Sequence, residues 1–353
     1  MLVKTEDFHS FLHRIAHESL GGYSDVYAPA RSDDASSHFA PVRDGEQFNL
    51  EGHRLPDPVR MFFYQPREQV YPVKTSDRKV LIAGVKACDV RGLQVLDTAL
   101  LEQDFVDPAY QKLRERITLI SSDCTTAAPT CHCTLVDGTP YLERGYDLNI
   151  SRIDERYLVT IGSTKGEELA NLIRKHIPVE ESSSFHHDGV SENRRKMTTR
   201  VKDQNQKYSQ RQSYGNLSGQ PESAWQEESR KCVGCGGCTN ICPTCHCMIL
   251  NDESSGKDFI KVREFDSCQL HGYARVAGGG SPRPRMTQRF RHRYLCKFQY
   301  MPANFDKLGC TGCGRCIDVC PGGIEFRAVT TKLTGSRIGV DAGSGRISVN
   351  EEG

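Results

Sequence analysis

Two runs of cysteine constrain this chain more than anything else in it. Cys232, Cys235, Cys238 and Cys242 stand in C-x2-C-x2-C-x3-C with Pro243 following; Cys310, Cys313, Cys316 and Cys320 repeat the pattern before Pro321. This is the spacing of bacterial ferredoxins, whose thiolates hold [4Fe–4S] clusters. Three closely spaced thiolates wrap one corner of a cubane while the residues between them turn the backbone. Gly234, Gly236, Gly237, Gly312 and Gly314 permit the positive-φ conformations such wrapping needs. Backbone N–H groups in loops of this kind also point at the sulfurs and offset the cluster's negative charge. Where two runs occur, the fourth cysteine of each serves the other's cluster. The expected sets are therefore Cys232, Cys235, Cys238 and Cys320 for one cluster, and Cys310, Cys313, Cys316 and Cys242 for the other. Zinc also uses Cys-x-x-Cys pairs, but two complete runs, each closed by proline, favour iron and sulfide.

The chain has 16 cysteines in 353 residues. Cysteines this dense suggest disulfides in a secreted protein and metal in the reducing cytosol. The N-terminal stretch MLVKTEDFHSFLHRIAHESL carries acids and histidines in a helical pattern. It lacks the apolar core and small-residue cleavage site of a secretion signal, so a cytoplasmic protein is expected. A formal net charge of +1 gives no global signal for nucleic acid or anionic membrane. No apolar run approaches the roughly 18 residues of a spanning helix.

Ahead of the runs, strand and helix patterns alternate. VLIAGV (80–85), RITLISSDC (116–124) and ERYLVTIGS (155–163) read as strands. DVRGLQVLDTALL (89–101) and GEELANLIRKHI (166–177) read as amphipathic helices. The expectation is an α/β N-terminal domain followed by a mostly helical dicluster ferredoxin domain. No G-x-G-x-x-G or phosphate loop marks a nucleotide site. The N-terminal part holds Cys88, Cys124, Cys131 and Cys133. If the strands before Cys88 and Cys124 are neighbours, all four thiols meet at the carboxyl edge of the sheet, where open α/β folds place ligands. A third cluster there stands against a zinc site and against inert buried cysteines. His132, between two of these cysteines, is a further candidate ligand or a residue bonded to backbone.

The expected boundaries are 1–180 for the α/β domain, 181–223 for a polar linker, 224–330 for the ferredoxin domain and 331–353 for a tail. The 182–223 stretch is rich in Ser, Gln, Asn and basic residues and buries little core, though part of it can form a helix. Sixty-seven residues separate Cys242 from Cys310, far more than a minimal ferredoxin needs. The basic run SPRPRMTQRFRHR (281–293) faces an acidic partner, donates hydrogen bonds to cluster sulfurs, or forms structural ion pairs.

Six blocks occur in order: GVKACDVRGLQVLD, DCTTAAPTCHCTLVDGTP, SAWQEESRKCVGCGGCTNICPTCHC, DSCQLHGYARVAGGG, RHRYLCKFQY and GCTGCGRCIDVCP. Together, over most of residues 55–330, they resemble the beta subunit of cytoplasmic NAD(P)-linked [NiFe] hydrogenases (sulfhydrogenases) and the dicluster iron–sulfur subunit of anaerobic sulfite reductase. The ferredoxin-like subunit of flavin oxidoreductase–heterodisulfide reductase complexes is similar. The resemblance implies an electron-transfer subunit without catalysis of its own. A flavoprotein partner oxidises NAD(P)H, and a terminal hydrogenase, sulfite reductase or heterodisulfide reductase subunit uses the electrons. In that family a histidine, in RxxHKxxY, stands where this chain has Cys296. His and Cys exchange readily as metal ligands. Cys245, Cys247, Cys268 and Cys296 therefore form a possible fourth metal site, against the reading that they only pack around the clusters.

Two other classes compete with the relay. One is a self-contained iron–sulfur oxidoreductase whose N-terminal domain binds flavin or substrate; the other is a zinc-stabilised interaction protein.

Overall fold

The computed structural model describes residues 1–31, 37–43, 47–73, 76–208, 214–254 and 256–335. The N-terminal part runs β1 (Leu2–Lys4), α1 (Thr5–Glu18), β2 (Tyr23–Arg31), β3 (Ser37–Pro41), β4 (Arg67–Tyr71), β5 (Lys79–Val85), α2 (Ala87–Leu100), α3 (Pro108–Arg116), β6 (Ile117–Ser122), β7 (Leu148–Ile153), β8 (Arg156–Ile161) and α4 (Thr164–His176). Seven strands form one sheet in the order β1-β8-β7-β6-β5-β2-β3. Its centre, β2-β5-β6-β7, is parallel, and the outer pairings are antiparallel. Side chains alternate across it as a strand period of two requires. Leu81, Ala83, Ile120, Leu148 and Ile150 pack with Phe8, Phe11, Leu12 and Ile15 of α1 and Leu169 and Ile173 of α4. Val80, Ile82, Ile117 and Leu119 pack with Leu93 and Leu96 of α2 and Tyr110 of α3 on the other face. The result is a three-layer α/β domain with the expected strands and helices in place.

One break in this alternation positions chemistry. Gly84 (φ +79°) is an extra residue in β5, where pairing with β6 shifts between Ala83 and Val85. The bulge returns Val85 to the same face as Ile82 and turns the chain into α2, which carries Cys88 in its first turn. A Cβ at 84 would lie 2.9 Å from Pro29, so the position needs glycine both for its φ and for the space.

The stretch expected as a linker carries a 21-residue helix, α5 (Ser184–Gln204). It buries Val190, Met197 and Val201 and pairs Arg194 with Asp123 at 2.7 Å. Its C-terminal end grips the loop below: Gln204 donates to the carbonyls of Ala128 (3.0 Å) and Cys131 (2.6 Å), and Asn205 to that of Cys131 (2.8 Å).

The C-terminal part runs α6 (Glu222–Ser229), α7 (Gly237–Asn240), β9 (Met248–Ser254), β10 (Phe259–Phe265), α8 (Met286–Leu295), a single π-helical turn (Cys296–Tyr300), α9 (Met301–Phe305), α10 (Arg315–Asp318) and α11 (Phe326–Gly335). Trp225, Phe290, Tyr294, Phe298, Phe326, Val329 and Leu333 form its core. Helices dominate, as expected. Two features differ from the sequence reading. The insertion between the cysteine runs contains the β9–β10 hairpin, and β10 pairs with β4 to make a three-stranded sheet. The last helix reaches Gly335, so part of the expected tail is packed structure.

The two parts interlock. Arg263 of β10 is fully buried and ion-pairs with Glu68 at 2.5 Å and with Asp107, the N-cap of α3. Arg60 donates to the Cys242 carbonyl at 3.0 Å, and Tyr64 to the His246 carbonyl at 2.9 Å. No helix of the described residues is long and apolar enough to cross a membrane.

Candidate metal centres

The cysteine repeat in the sequence is also a repeat in space. Gly234 and Gly312 both have φ +66°; Gly236 and Gly314 have φ +75° and +77° and each caps the N-terminus of a four-residue helix, α7 and α10. The glycines let each run turn tightly between its three leading thiols. The fourth cysteine of each run leaves its helix toward the other loop. Cys232, Cys235, Cys238 and Cys320 line one cavity, and Cys316 lines it too. Cys242 faces Cys310 and Cys316, which in turn face Cys313. The structure thus places the first expected set round one cavity and the members of the second within electrostatic reach of one another.

Cys88, Cys124, Cys131 and Cys133 also meet. They line a second cavity together with Cys313 and Arg54. Cys88 arrives on α2 after β5, and Cys124 follows neighbouring β6. Cys131 and Cys133 come from a loop clamped by α5 above and by the second run below, where His132 N–H donates to the Gly312 carbonyl at 2.7 Å. Arg54 donates to the Cys313 carbonyl at 2.8 Å.

The last four cysteines divide. Cys247, Cys268 and Cys296 face one another, Cys296 from the π turn. Such turns recur at functional sites because they re-aim a side chain out of helical register. Cys245 lies within electrostatic reach of Cys247 but hydrogen-bonds with Cys242, the last cysteine of the first run and the exchanged member of the second set. The Cys245 thiol donates to the Cys242 sulfur, holding Cys242 below and Cys245 above the ordinary thiol range.

Burial raises several other thiols. Desolvation and neighbouring thiols push Cys316 and Cys133 up to about 12 and Cys247 to about 11. Cys124 also rises to about 12, through desolvation, with Lys86 opposing. Metal binding displaces thiol protons held this way.

Cations nearby were not legible as a group. Arg293, Lys297 and Arg315 are all buried, at 6%, 2% and 1% exposure. Burial works against the charge of Arg293, but Cys238, Cys316 and Cys242 hold it well above the ordinary guanidinium range. Lys297 is likewise held up against burial by Cys242, Cys245 and Cys296. Its Nζ donates to Thr244 Oγ1 at 2.6 Å and Cys245 Sγ at 3.3 Å. Arg315 ion-pairs with Asp89 at 2.7 Å. The only sequence signals are the place of Arg315 inside the second run and the i, i+4 spacing of Arg293 and Lys297. Of the basic run at 281–293, Arg289 bonds carbonyls of Gln269, Arg283 and Pro284, and Arg293 turns to the thiols.

His132 sits with Nδ1 2.9 Å from the Thr130 carbonyl and Nε2 3.9 Å from Cys310 Sγ. His246 repeats the arrangement on Thr244 at 3.0 Å. Both lie in the same five residues, PTCHC at 129–133 and 243–247. Burial lowers each to about 4, so both imidazoles are neutral with Nδ1–H donating.

Do these residues fit iron–sulfur groups? The thiols ring cavities rather than a point: among the described residues no three His, Cys, Asp or Glu side chains converge closely enough for a single ion. Arg293, which lines the first cavity, has its Nε buried without a hydrogen-bond partner, as do Arg315 Nη1 and Thr311 Oγ1 inside the second run. Buried orphan donors are rare in folded proteins. Sulfide or thiolate sulfur in the adjoining cavities supplies the missing acceptors, so the residues fit.

Residues 231–324 match the 4Fe-4S dicluster domain family. Over 322 residues the chain is 29% identical to sulfhydrogenase 2 subunit beta of Pyrococcus furiosus, covering 87% of this chain and 92% of that protein. No solved structure matches the chain.

Proposed function

We propose that this chain, an iron–sulfur protein with a 4Fe-4S dicluster domain and similarity to a sulfhydrogenase beta subunit, is the electron-transfer subunit of a cytoplasmic oxidoreductase complex. It relays single electrons between a flavoprotein that oxidises NAD(P)H and a terminal subunit of hydrogenase, sulfite reductase or heterodisulfide reductase type. Bound [4Fe–4S] groups supply one-electron exchange. Cys232, Cys235, Cys238 and Cys320 hold the first, and Cys310, Cys313, Cys316 and Cys242 the second. Cys88, Cys124, Cys131 and Cys133 hold a third. Cys247, Cys268 and Cys296, with Cys245, hold a fourth.

The carrying observation is contiguity. Cys316 borders the first cavity, Cys313 borders the third set's cavity, and Cys242 bonds Cys245. Thiol sets in mutual contact suit a relay, whereas isolated structural sites gain nothing from it. The protein's own part is to fix the thiols, exclude water and supply donors to sulfur. The rival reading, flavin or substrate held by the N-terminal domain, finds little support. A wide cleft between this domain and the β9–β10 hairpin, bordered by Lys79, Arg116, Lys165 and Glu253, opens at the amino ends of β5 and β6, at the opposite edge of the sheet from Cys88 and Cys124.

Iron and acid-labile sulfide per chain, measured on anaerobically purified protein with EPR after dithionite reduction, test this. About sixteen irons correspond to four clusters, about twelve to three and about eight to the ferredoxin pair alone. Zinc in place of iron, with no reduced-state signal, would sink the relay.

A further inference from the structure

Of the sixteen cysteines, only Cys235 is exposed; the rest are buried or half-buried. It belongs to the first set, and exposed apolar side chains from three separate segments stand around its loop. Val233, 65% exposed, comes from the first run and lines the same cavity. Val319, also exposed, precedes Cys320 in the second run; a Cβ at Gly237 would lie 3.6 Å from both Val319 Cγ2 and Cys235 Sγ. Leu270, exposed as well, comes from the insertion between the runs, and a Cβ at Gly236 would lie 3.6 Å from its Cδ2. Single exposed valines and leucines need no explanation, but three converging on one exposed thiol do. The segments that supply them, 232–241, 268–270 and 319–324, contain no charged residue. Cys316 of the second set lines the cavity behind them.

We propose that the Cys235 corner is the port at which this chain exchanges electrons with another protein, and that this partner seats an apolar, charge-poor face on Val233, Leu270 and Val319 beside its own one-electron group. This rests on the relay reading above and adds which thiol set faces outward and what it meets. A relay must exchange electrons with a separate redox group, and the first set is the one with a thiol open to solvent. Each transfer moves one electron: the donor group is oxidised by one and the acceptor reduced by one, with no bond made or broken. The rim gives the partner's chemistry. A charged face would lose its hydration against these side chains without gaining an opposite charge, whereas an apolar face gains by covering them. An electron taken up at Cys235 then has the second set directly behind it.

The test has two arms. In the first, the oxidised, iron-loaded full chain is reduced anaerobically in a stopped-flow cell, by the methyl viologen radical cation and separately by dithionite, an anion. Wild type is compared with Val233→Asp and Val233→Lys, and with Phe185→Asp and Phe185→Lys at an exposed apolar position on α5. Aspartate at 233 should speed the cation and slow the anion, and lysine should do the reverse, by about threefold or more at low salt. The 185 pair should move neither rate. Equal rates in the 233 pair overturn the port. Val319→Asp and Val319→Lys replace a 233 variant that loses iron. In the second arm, a photo-cross-linking residue replaces Val233 in the intact complex. It should cross-link to a subunit that carries flavin or metal, and should still do so at high salt, where exposed charges are screened. A cross-link to a second copy of this chain or to a protein without a redox group overturns the docking, as does an intact complex with no cross-link from 233. Zinc in place of iron would remove the relay reading itself. Unmoved rates in iron-loaded protein with a reduced-state EPR signal would remove the port alone.

Discussion

Arg315 and Asp89 meet at 2.7 Å with almost no exposure, 1% and 2%, and so bolt the second cysteine run to the first turn of α2. Arg315 also donates to the carbonyls of Leu55 and Asp57, while Asp89 accepts from Val59 N–H at 3.2 Å. The pair is flanked by Cys313 and Cys88. Removing one member leaves a buried charge without compensation. Asp89→Asn should destabilise the protein by about 3–5 kcal/mol, read as a shift in the anaerobic denaturation midpoint. Wild-type stability in this variant would mean that Arg315 finds another counter-charge.

Gly312 makes a second, sharper prediction. Its φ is +66°, and a Cβ there would lie 2.5 Å from the Cys133 backbone nitrogen. Alanine must push apart the second run and the Cys131–Cys133 loop. Gly323 has φ +61° but open space round its Cβ position, so alanine there costs only the left-handed strain of roughly 1–2 kcal/mol. Gly312→Ala should therefore lose iron that Gly323→Ala retains. Equal iron in the two would show that the close approach is not needed.

The runs, β5, β6, α2 and α4 were legible because local pattern alone specifies them. Spacing dictates the thiol loops, and continuous apolar runs dictate strands buried on both faces. The β4–β10 pairing was not legible. It joins Tyr71 to Lys261 across most of the chain, and β9 beside it is largely exposed, so its sequence carries little hydrophobic signal. The extent of helix α5 was not legible in the polar 182–223 stretch, where only part was expected to be helical, because only Val190, Met197 and Val201 are buried along its 21 residues. The buried state of Lys297 depends on Thr244 and Cys245, more than fifty positions away. A lone lysine in sequence defaults to the surface.

His292 sets a pH dependence separate from the thiols. Burial, and then Arg283, lower it to about 4, and its Nδ1 is buried without a partner. The unfolded chain takes up this proton near pH 6.5, whereas the folded chain resists until about pH 4. Between those values the unfolded state binds more protons, so stability should fall as pH drops through the window and level off below it. Denaturation midpoints measured between about pH 7.5 and 5 should show this slope, and His292→Gln should reduce it, the remainder coming from His132 and His246, which burial lowers to about 4 as well. An unchanged slope would assign the acid sensitivity elsewhere.

The third thiol set can be removed with the least damage to the others. Cys131 and Cys133 belong to a loop that α5 holds by backbone carbonyls, through Gln204 and Asn205. Those bonds do not depend on the thiols. Serine keeps the volume and loses most of the affinity for iron, so the double variant Cys131→Ser, Cys133→Ser should fold with the loop in place. It should hold about four fewer irons per chain than wild type. The EPR signals of the two ferredoxin runs should survive, because Cys313 borders this cavity yet closes the second set with Cys310, Cys316 and Cys242. A variant with undiminished iron would mean that these thiols are packing groups, and the relay would then end at the second run on that side.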